Sequence, residues 1–259
     1  MFFLDEILEY KEIKEILLNE KELMAEGQQI AERIIKGEEV YPKAGFLPLA
    51  VFYFLAEYCL EKNTKRGIPK EITVDSLKDI NIWISNYEKQ YGMLGFAEFG
   101  WVLGFYKGER FRLGRLQYNF GIANEYIPSG QEVLEVHIPQ GEPLNTKACL
   151  NSFVEAKQFF EKFYPEKKPE YFVCNSWLLC PNLECIAEAN SNLVKFRKLW
   201  TQFPFDSDNS AQAMERVFGF GFQRENLEHA PEQTSLQRRL KEYLLQGGQI
   251  NMGAGFRKI

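Results

Sequence analysis

The stretch Glu132-Val-Leu-Glu-Val-His-Ile-Pro-Gln-Gly-Glu-Pro-Leu-Asn-Thr146, then a helical run to Phe163, then Tyr171-Phe-Val-Cys-Asn-Ser-Trp-Leu-Leu179, decides the fold. Residues 132–138 alternate polar and apolar side chains, the period of a strand with one buried face. Pro139-Gln-Gly-Glu-Pro-Leu-Asn145 is a Gly/Pro loop, and the apolar spacing over 146–163 predicts a helix of about five turns. Residues 171–179 read as a second strand. Two strands joined through a helix lie parallel with a right-handed crossover, which leaves the amides of the helix start beside the end of the first strand. An anion docks at such a place.

Upstream, the chain reads as helical for its first hundred or so residues. Leu4, Ile7, Leu8, Ile13, Ile16, Leu17, Leu23 and Met24 make one face of a long helix, and 28–36 is a second helix ended by Gly37. Residues 47–61 are apolar almost all round, as in a buried helix. A further helix starts at Thr73 or Asp75 and stops near Gly92, and 93–106 permits another. After Lys107-Gly-Glu-Arg110 the period changes. Phe111-Arg-Leu-Gly-Arg-Leu-Gln-Tyr-Asn-Phe120 reads as one strand, with Leu116, Tyr118 and Phe120 on one face and Arg115, Gln117 and Asn119 on the other. Ile127-Pro-Ser-Gly130 is the turn region of a long hairpin into 132–138. Downstream, 181–200 looks helical, with the polar Ala189-Asn-Ser-Asn192 as the place where it would divide in two, 201–205 is a short strand, 209–218 a short helix, 235–246 a helix capped by Thr234, and 249–257 a closing strand. The boundary falls near residue 108, giving a helical domain over 1–108 and a mixed sheet flanked by helices over 109–259, an α+β chain.

The 259 residues carry five cysteines and two histidines. An odd cysteine count in a chain this long argues against a disulfide framework, and Cys174, Cys180 and Cys185 do not make a zinc pattern, so no metal is expected. The net charge of −5, with basic residues scattered among acidic ones, gives no general attraction to nucleic acid. Met1-Phe-Phe-Leu-Asp-Glu puts acid where a signal peptide puts base, and the apolar run over 44–56 is shorter than the roughly 20 residues of a membrane span. A cytoplasmic protein with no membrane partner is expected; oligomeric state is not encoded.

On 132–138, Glu135 and His137 share a polar face with Val133. If 111–120 pairs antiparallel to this strand, Arg115 and Gln117 lie across from Glu135 and His137, clustering a base, an acid and a positive charge. Such a histidine shuttles a proton in general base catalysis; the alternative is a salt-bridged polar sheet face covered by the helical half. Gly141 and a helix capped by Asn145 or Thr146 offer contacts to a phosphate, with Lys147 adding charge and Glu142 opposing it. Cys174 near His137 would make an acyl-transfer dyad, or else it packs as a small apolar group. Ser176 or Asn175 could orient a substrate or protonate a leaving thiolate. His229 reads as a loop residue. Trp83, Trp101, Trp177 and Trp200 read as core or groove walls.

Leu113-Gly-Arg-Leu-Gln117, Val136-His-Ile-Pro139 with Gly141, Ser176-Trp-Leu-Leu179 with Pro181-Asn-Leu183, Ser191-Asn192 with Phe196, and Thr234-Ser-Leu-Gln-Arg238 resemble the signatures of bacterial acyltransferase-domain proteins. These carry a helical N-terminal domain and a C-terminal half similar to the Gcn5-related N-acetyltransferase (GNAT) superfamily. The resemblance implies a mixed sheet in which two central parallel strands, here 132–138 and 171–179, splay apart around the pantetheine arm of an acyl coenzyme A, acetyl-CoA in the first instance. It places Ile138, Gln140, Gly141, Asn145, Thr146 and Asn175 nearest the cofactor. It further implies direct transfer to an amine or hydroxyl of a small-molecule acceptor that loses its proton to Glu135, His137 or a water they hold. A backbone amide of the first strand would face the oxyanion, and Ser176 would donate to the leaving sulfur. The superfamily's usual loop, Gln or Arg followed by two residues and then Gly-x-Gly or Gly-x-Ala, is matched here only by Gln140 and, loosely, Gly141. A non-catalytic module that binds a small molecule or partner between the halves is the alternative, and a Cys-His hydrolase using Cys174 or Cys149 is a third reading.

Overall fold

The computed structural model describes residues 2–127 and 132–259. The chain forms two compact units, Met1–Leu113 and Gly114–Ile259.

The first unit is helical: a π-helical turn Phe3–Ile7, then α1 Lys11–Asn19, α2 Lys21–Ile35, α3 Leu47–Lys65, α4 Lys70–Leu77, α5 Asp79–Tyr91 and α6 Phe99–Tyr106. The long first helix expected from the apolar spacing is three pieces, because Leu8 turns extended and Glu20 leaves helical geometry. The piece expected to begin at Gln28 is the second half of α2. Its mid-helix Gly27 serves packing: a Cβ there would lie 2.7 Å from the Ala50 Cβ and 2.9 Å from the Ala50 carbonyl carbon on α3. That approach needs glycine. Helix α3 is apolar all round and accordingly buries Leu49, Val51, Phe52, Leu55, Ala56 and Cys59. Asp79, buried at the start of α5, accepts from the indoles of Trp83 (2.8 Å) and Trp101 (3.1 Å), so these tryptophans are wall and tie at once. Gly92 ends α5 in the left-handed region at φ +69°.

The sheet comprises β1 Arg110–Leu113, β2 Leu116–Ile122, β3 Glu132–His137, β4 Tyr171–Ser176, β5 Thr201–Phe203 and β6 Gly253–Lys258, in the order β1-β2-β3-β4-β6-β5. The single strand expected over 111–120 is two, because Gly114 adopts φ +62° and turns the chain. The expected turn residues 128–130 lie outside the described residues. β2 and β3 are antiparallel, β3 and β4 parallel, and β6 runs antiparallel to both β4 and β5. Parallel β3 and β4 are joined through α7, Thr146–Phe163.

Helix α7 starts where Asn145 Oδ1 accepts from the amides of Lys147 and Ala148. Its Cys149, Ser152, Phe153, Ala156, Phe159, Phe160 and Phe163 are buried at three- and four-residue spacing. Phe153 packs on Phe172 at 5.1 Å between centroids, and Tyr118 on Phe172 at 5.7 Å. Ser152 Oγ receives the Leu116 amide and lies 2.8 Å from the Tyr118 hydroxyl, tying helix to sheet. Burial pushes the Tyr118 phenol well up. The segment over 181–200 divides at the polar 189–192 stretch, as the sequence allowed, but its first piece is only a 3-10 turn, Leu183–Cys185; the second is α8 Asn192–Arg197, begun by Ser191, whose hydroxyl accepts the Val194 amide. α9 is Ala211–Phe218, and α10, Ser235–Leu245, opens with a capping box of Thr234 and Gln237.

Candidate active site

Register decides which side chains meet. Gln117 lies opposite His137, Asn119 opposite Glu135 and Gly121 opposite Val133. Paired residues share a face of the sheet. The parallel pair Glu135–Val173 carries that face onto Val173 and, by alternation, Asn175; α7 covers the other face.

Asn119 stands between the acid and the base. Its Nδ2 donates to Glu135 Oε2 at 2.7 Å and to the Phe120 carbonyl at 3.0 Å, while its Oδ1 lies 2.6 Å from His137 Nε2. A carboxylate only accepts, so the amide nitrogen faces Glu135 and the amide oxygen faces His137. His137 Nε2 therefore carries a hydrogen, and the basic lone pair of the neutral ring falls on Nδ1. Glu135 Oε2 is 3.9 Å from Nε2, close enough to favour the imidazolium once it forms, and the side chains of His137 and Glu135 are 26% and 44% exposed, respectively. A reactant can reach them.

Gly121 makes the room for this arrangement. A Cβ there would lie 2.5 Å from Glu135 Oε1 and 2.6 Å from its Cγ. Gly121→Ala is expected to swing the carboxylate out of reach of Asn119, since the exposed end of Glu135 is the part that can move. The melting temperature should stay within about 3 °C of wild type, read by thermal unfolding.

The parallel ladder stops beside these residues. Strand β3 continues to His137 and β4 to Ser176, yet their ladder ends at Glu135–Val173. β4 stays paired with β6 as far as Ser176–Gly253, whereas its ladder with β3 holds only Leu134–Phe172 and Glu135–Val173, leaving Val136 and His137 without a ladder partner on β4. Asn175 is exposed on the face shared with Glu135 and His137. Ser176 lies on the other face, 8% exposed, and its Oγ accepts the Leu178 amide at 3.2 Å. Ile138 is half-buried at the end of β3, and Gln140, Gly141, Glu142 and Asn145 are exposed along the loop that follows. Gly141 has φ +115°, a conformation favouring glycine. Thr146 Oγ1, in the first residue of α7, is buried with no hydrogen-bond partner among the described residues.

Arg115 is not across from Glu135, as the sequence suggested. The β2–β3 register places Asn119 there, and the Arg115 guanidinium, 6% exposed, donates to the carbonyls of Pro139 (3.0 Å), Glu142 (2.7 Å) and Pro143 (3.2 Å). The Cys174–His137 dyad is also corrected. Cys174 sits on the helix-covered face, opposite to His137, and burial pushes its thiol well up. Cys149 is buried in α7 with its thiol also raised by desolvation, so neither offers a thiolate near neutrality. Asn119 and Gly121 carried no assigned role in the sequence reading; their signal lay in the register, which fixes what faces Glu135. Among the described residues, no cluster of His, Cys, Asp and Glu could hold a metal, and no helix is long and apolar enough to cross a membrane.

A helix-crossed parallel pair inside a mixed sheet fits the GNAT-like fold. The chain belongs to the family described as GNAT-like C-terminal domain, matched over residues 110–257, and its first part, residues 3–108, matches the N-acyltransferase N-terminal domain. No curated protein matches it. Among solved structures it is similar to an acyltransferase in complex with decanoyl-CoA and teicoplanin, at 27% identity and TM-score 0.76, over 82% of this chain and 66% of that one. It is similar, too, to an acyltransferase mutant in complex with octanoyl-CoA, at 26% identity and TM-score 0.76, with the same coverage. The chain thus spans slightly under two thirds of these neighbours' length.

Proposed function

We propose that this protein transfers an acyl group from an acyl coenzyme A to an amine or hydroxyl of a small-molecule acceptor. The observation that carries this reading is the end of the β3–β4 ladder at Glu135–Val173, directly beside the Glu135–Asn119–His137 chain. A pantetheine arm laid beyond that pair would supply amide and carbonyl groups to strand backbone that has no ladder partner there. Ile138, Gln140, Gly141, Asn145 and Thr146 line the coenzyme A side, and Asn175 faces it from β4. The acceptor nitrogen or oxygen attacks the thioester carbon. Its new bond to carbon forms, the C–S bond breaks, and the acceptor's proton passes to His137 Nδ1, directly or through one water. Glu135, through Asn119, offsets the charge on the ring. The proton that His137 takes passes on, directly or through water, to the sulfur, which departs as the thiol; Ser176, expected to donate to that sulfur, lies on the helix-covered face with its Oγ accepting the Leu178 amide. A backbone amide of β3 faces the developing oxyanion.

Acetyl-CoA, expected from the superfamily resemblance, is one donor. A longer chain is favoured by the apolar half of the same face, where Val133 and Val173 pack with Ile127, Tyr171, Phe203 and Phe256, and Tyr126 stacks on Phe203 at 4.8 Å. The solved acyltransferases similar to this chain bind octanoyl- and decanoyl-CoA, and one of them also binds teicoplanin, a small-molecule acceptor.

The test is thermal unfolding with acetyl-, octanoyl- and decanoyl-CoA, followed by an assay of free thiol released with a panel of amines. A thioester at a hundredfold excess over its Kd should stabilise by about 2 to 3 kcal/mol, most strongly with the longer chains, and acceptor-dependent thiol release should follow. Stabilisation without thiol release from any amine would favour the non-catalytic binding module. No stabilisation by any thioester would overturn the reading.

A further inference from the structure

The loop over 139–145 lacks the Gly-x-Gly pattern of a phosphate-binding loop, yet one buried side chain organises it. Arg115 donates to three of its carbonyls, those of Pro139, Glu142 and Pro143. In a trans peptide the carbonyl of one residue and the amide N–H of the next point in opposite directions, and no peptide bond of the described residues is cis. Carbonyls drawn onto the guanidinium therefore turn the N–H groups of Gln140 and Leu144 away from it; Pro143 has no N–H to turn. The guanidinium lies beside the start of α7, where Asn145 has already taken the amides of Lys147 and Ala148 for its own cap.

Resting on the acyl coenzyme A reading above, we infer that Arg115 is a positioning residue for the diphosphate of the donor. It holds the loop so that the Gln140 and Leu144 amides face the anion, and its buried charge adds to their pull. It touches neither the thioester nor the acceptor.

The prediction separates the two halves of the donor. Arg115→Lys keeps the charge but cannot serve three carbonyls in one plane. It is expected to raise KM for acyl-CoA about tenfold, with kcat unchanged, and to leave KM for the matching acyl-pantetheine, which has no diphosphate, at the wild-type value. Equal rises for both donors would mean that Arg115 merely supports the fold, and no rise for either would also overturn the inference. On wild-type protein, inorganic pyrophosphate is expected to compete with acyl-CoA and not with acyl-pantetheine. That measurement needs no variant, and an absence of competition refutes the inference even if Arg115→Lys fails to fold. Wild-type transfer from neither donor would instead defeat the proposed activity itself.

Discussion

Replacing His137 by alanine is expected to lower kcat by about 10²- to 10³-fold, the usual contribution of a placed general base, with KM for the acyl donor little changed. The imidazole lies beside the end of the β3–β4 ladder, and its Nε2 is committed to Asn119 Oδ1 at 2.6 Å, so that Nδ1 is the atom able to accept a proton. The pH profile distinguishes this role from a structural one. Wild-type activity should fall as the solution is acidified, because a protonated ring has no lone pair to offer, and His137→Ala should lose that acid limb. Asn119→Ala should reproduce most of the kcat loss, since without the amide the ring is free to take the other tautomer and Glu135 acts only across 3.9 Å. A variant without His137 that turns over at the wild-type rate would remove the proton-transfer proposal.

Gly253→Ala is expected to destabilise the protein by about 3 kcal/mol, the upper range for overpacking, lowering the denaturant midpoint at unchanged slope. Gly253 pairs with Ser176 at the end of β4, and a Cβ on it would fall onto the carbonyl group of Leu179 and within 2.8 Å of the Cys180 amide nitrogen. Both obstacles are backbone, which cannot swing aside as a side chain does. The missing side chain is what lets the chain leave β4, pass through the 3-10 turn Trp177–Leu179 and cross close over β6. Since that crossing fixes where β4 ends, residual folded Gly253→Ala should also bind acyl-CoA more weakly, as titration of the folded fraction would reveal. Unaltered stability would show that the turn over β6 relaxes easily and does not hold the end of β4.

Much of the second unit was legible in the sequence because its elements obey strong local rules. The alternation in Glu132-Val-Leu-Glu-Val-His137, the Asn145 cap with seven buried positions in α7, and the Thr234–Gln237 capping box each specify their element without tertiary help. The errors came where packing overrides local pattern. The second helix expected from residue 28 is continuous with what precedes it, because Gly27 is a close-approach residue against Ala50 inside α2. Gly114 is hidden inside an alternating run, yet its positive φ divides one expected strand into two and sends Arg115 to the loop carbonyls. The stretch 181–200 carries helical spacing over a segment that turns at Leu183–Cys185 before α8 begins.

The candidate site was legible in its residue types and not in its partners. Glu135 and His137 follow from period two, but the residue facing them depends on a register set by the long connection between β2 and β3. The sequence therefore suggested Arg115 where Asn119 stands. The same limit explains Cys174: the strand pattern places it opposite to Asn175, and only the parallel pair Glu135–Val173 shows that Asn175, and not Cys174, shares the face of His137.

The most direct test is a crystal structure of the full chain with decanoyl-CoA. The expected result is a pantetheine arm lying between β3 and β4 beyond the Glu135–Val173 pair, its diphosphate over the loop held by Arg115 and its thioester within reach of His137 Nδ1. Coenzyme A bound elsewhere, or a β3–β4 ladder continued from Val136 to Cys174, would contradict the account.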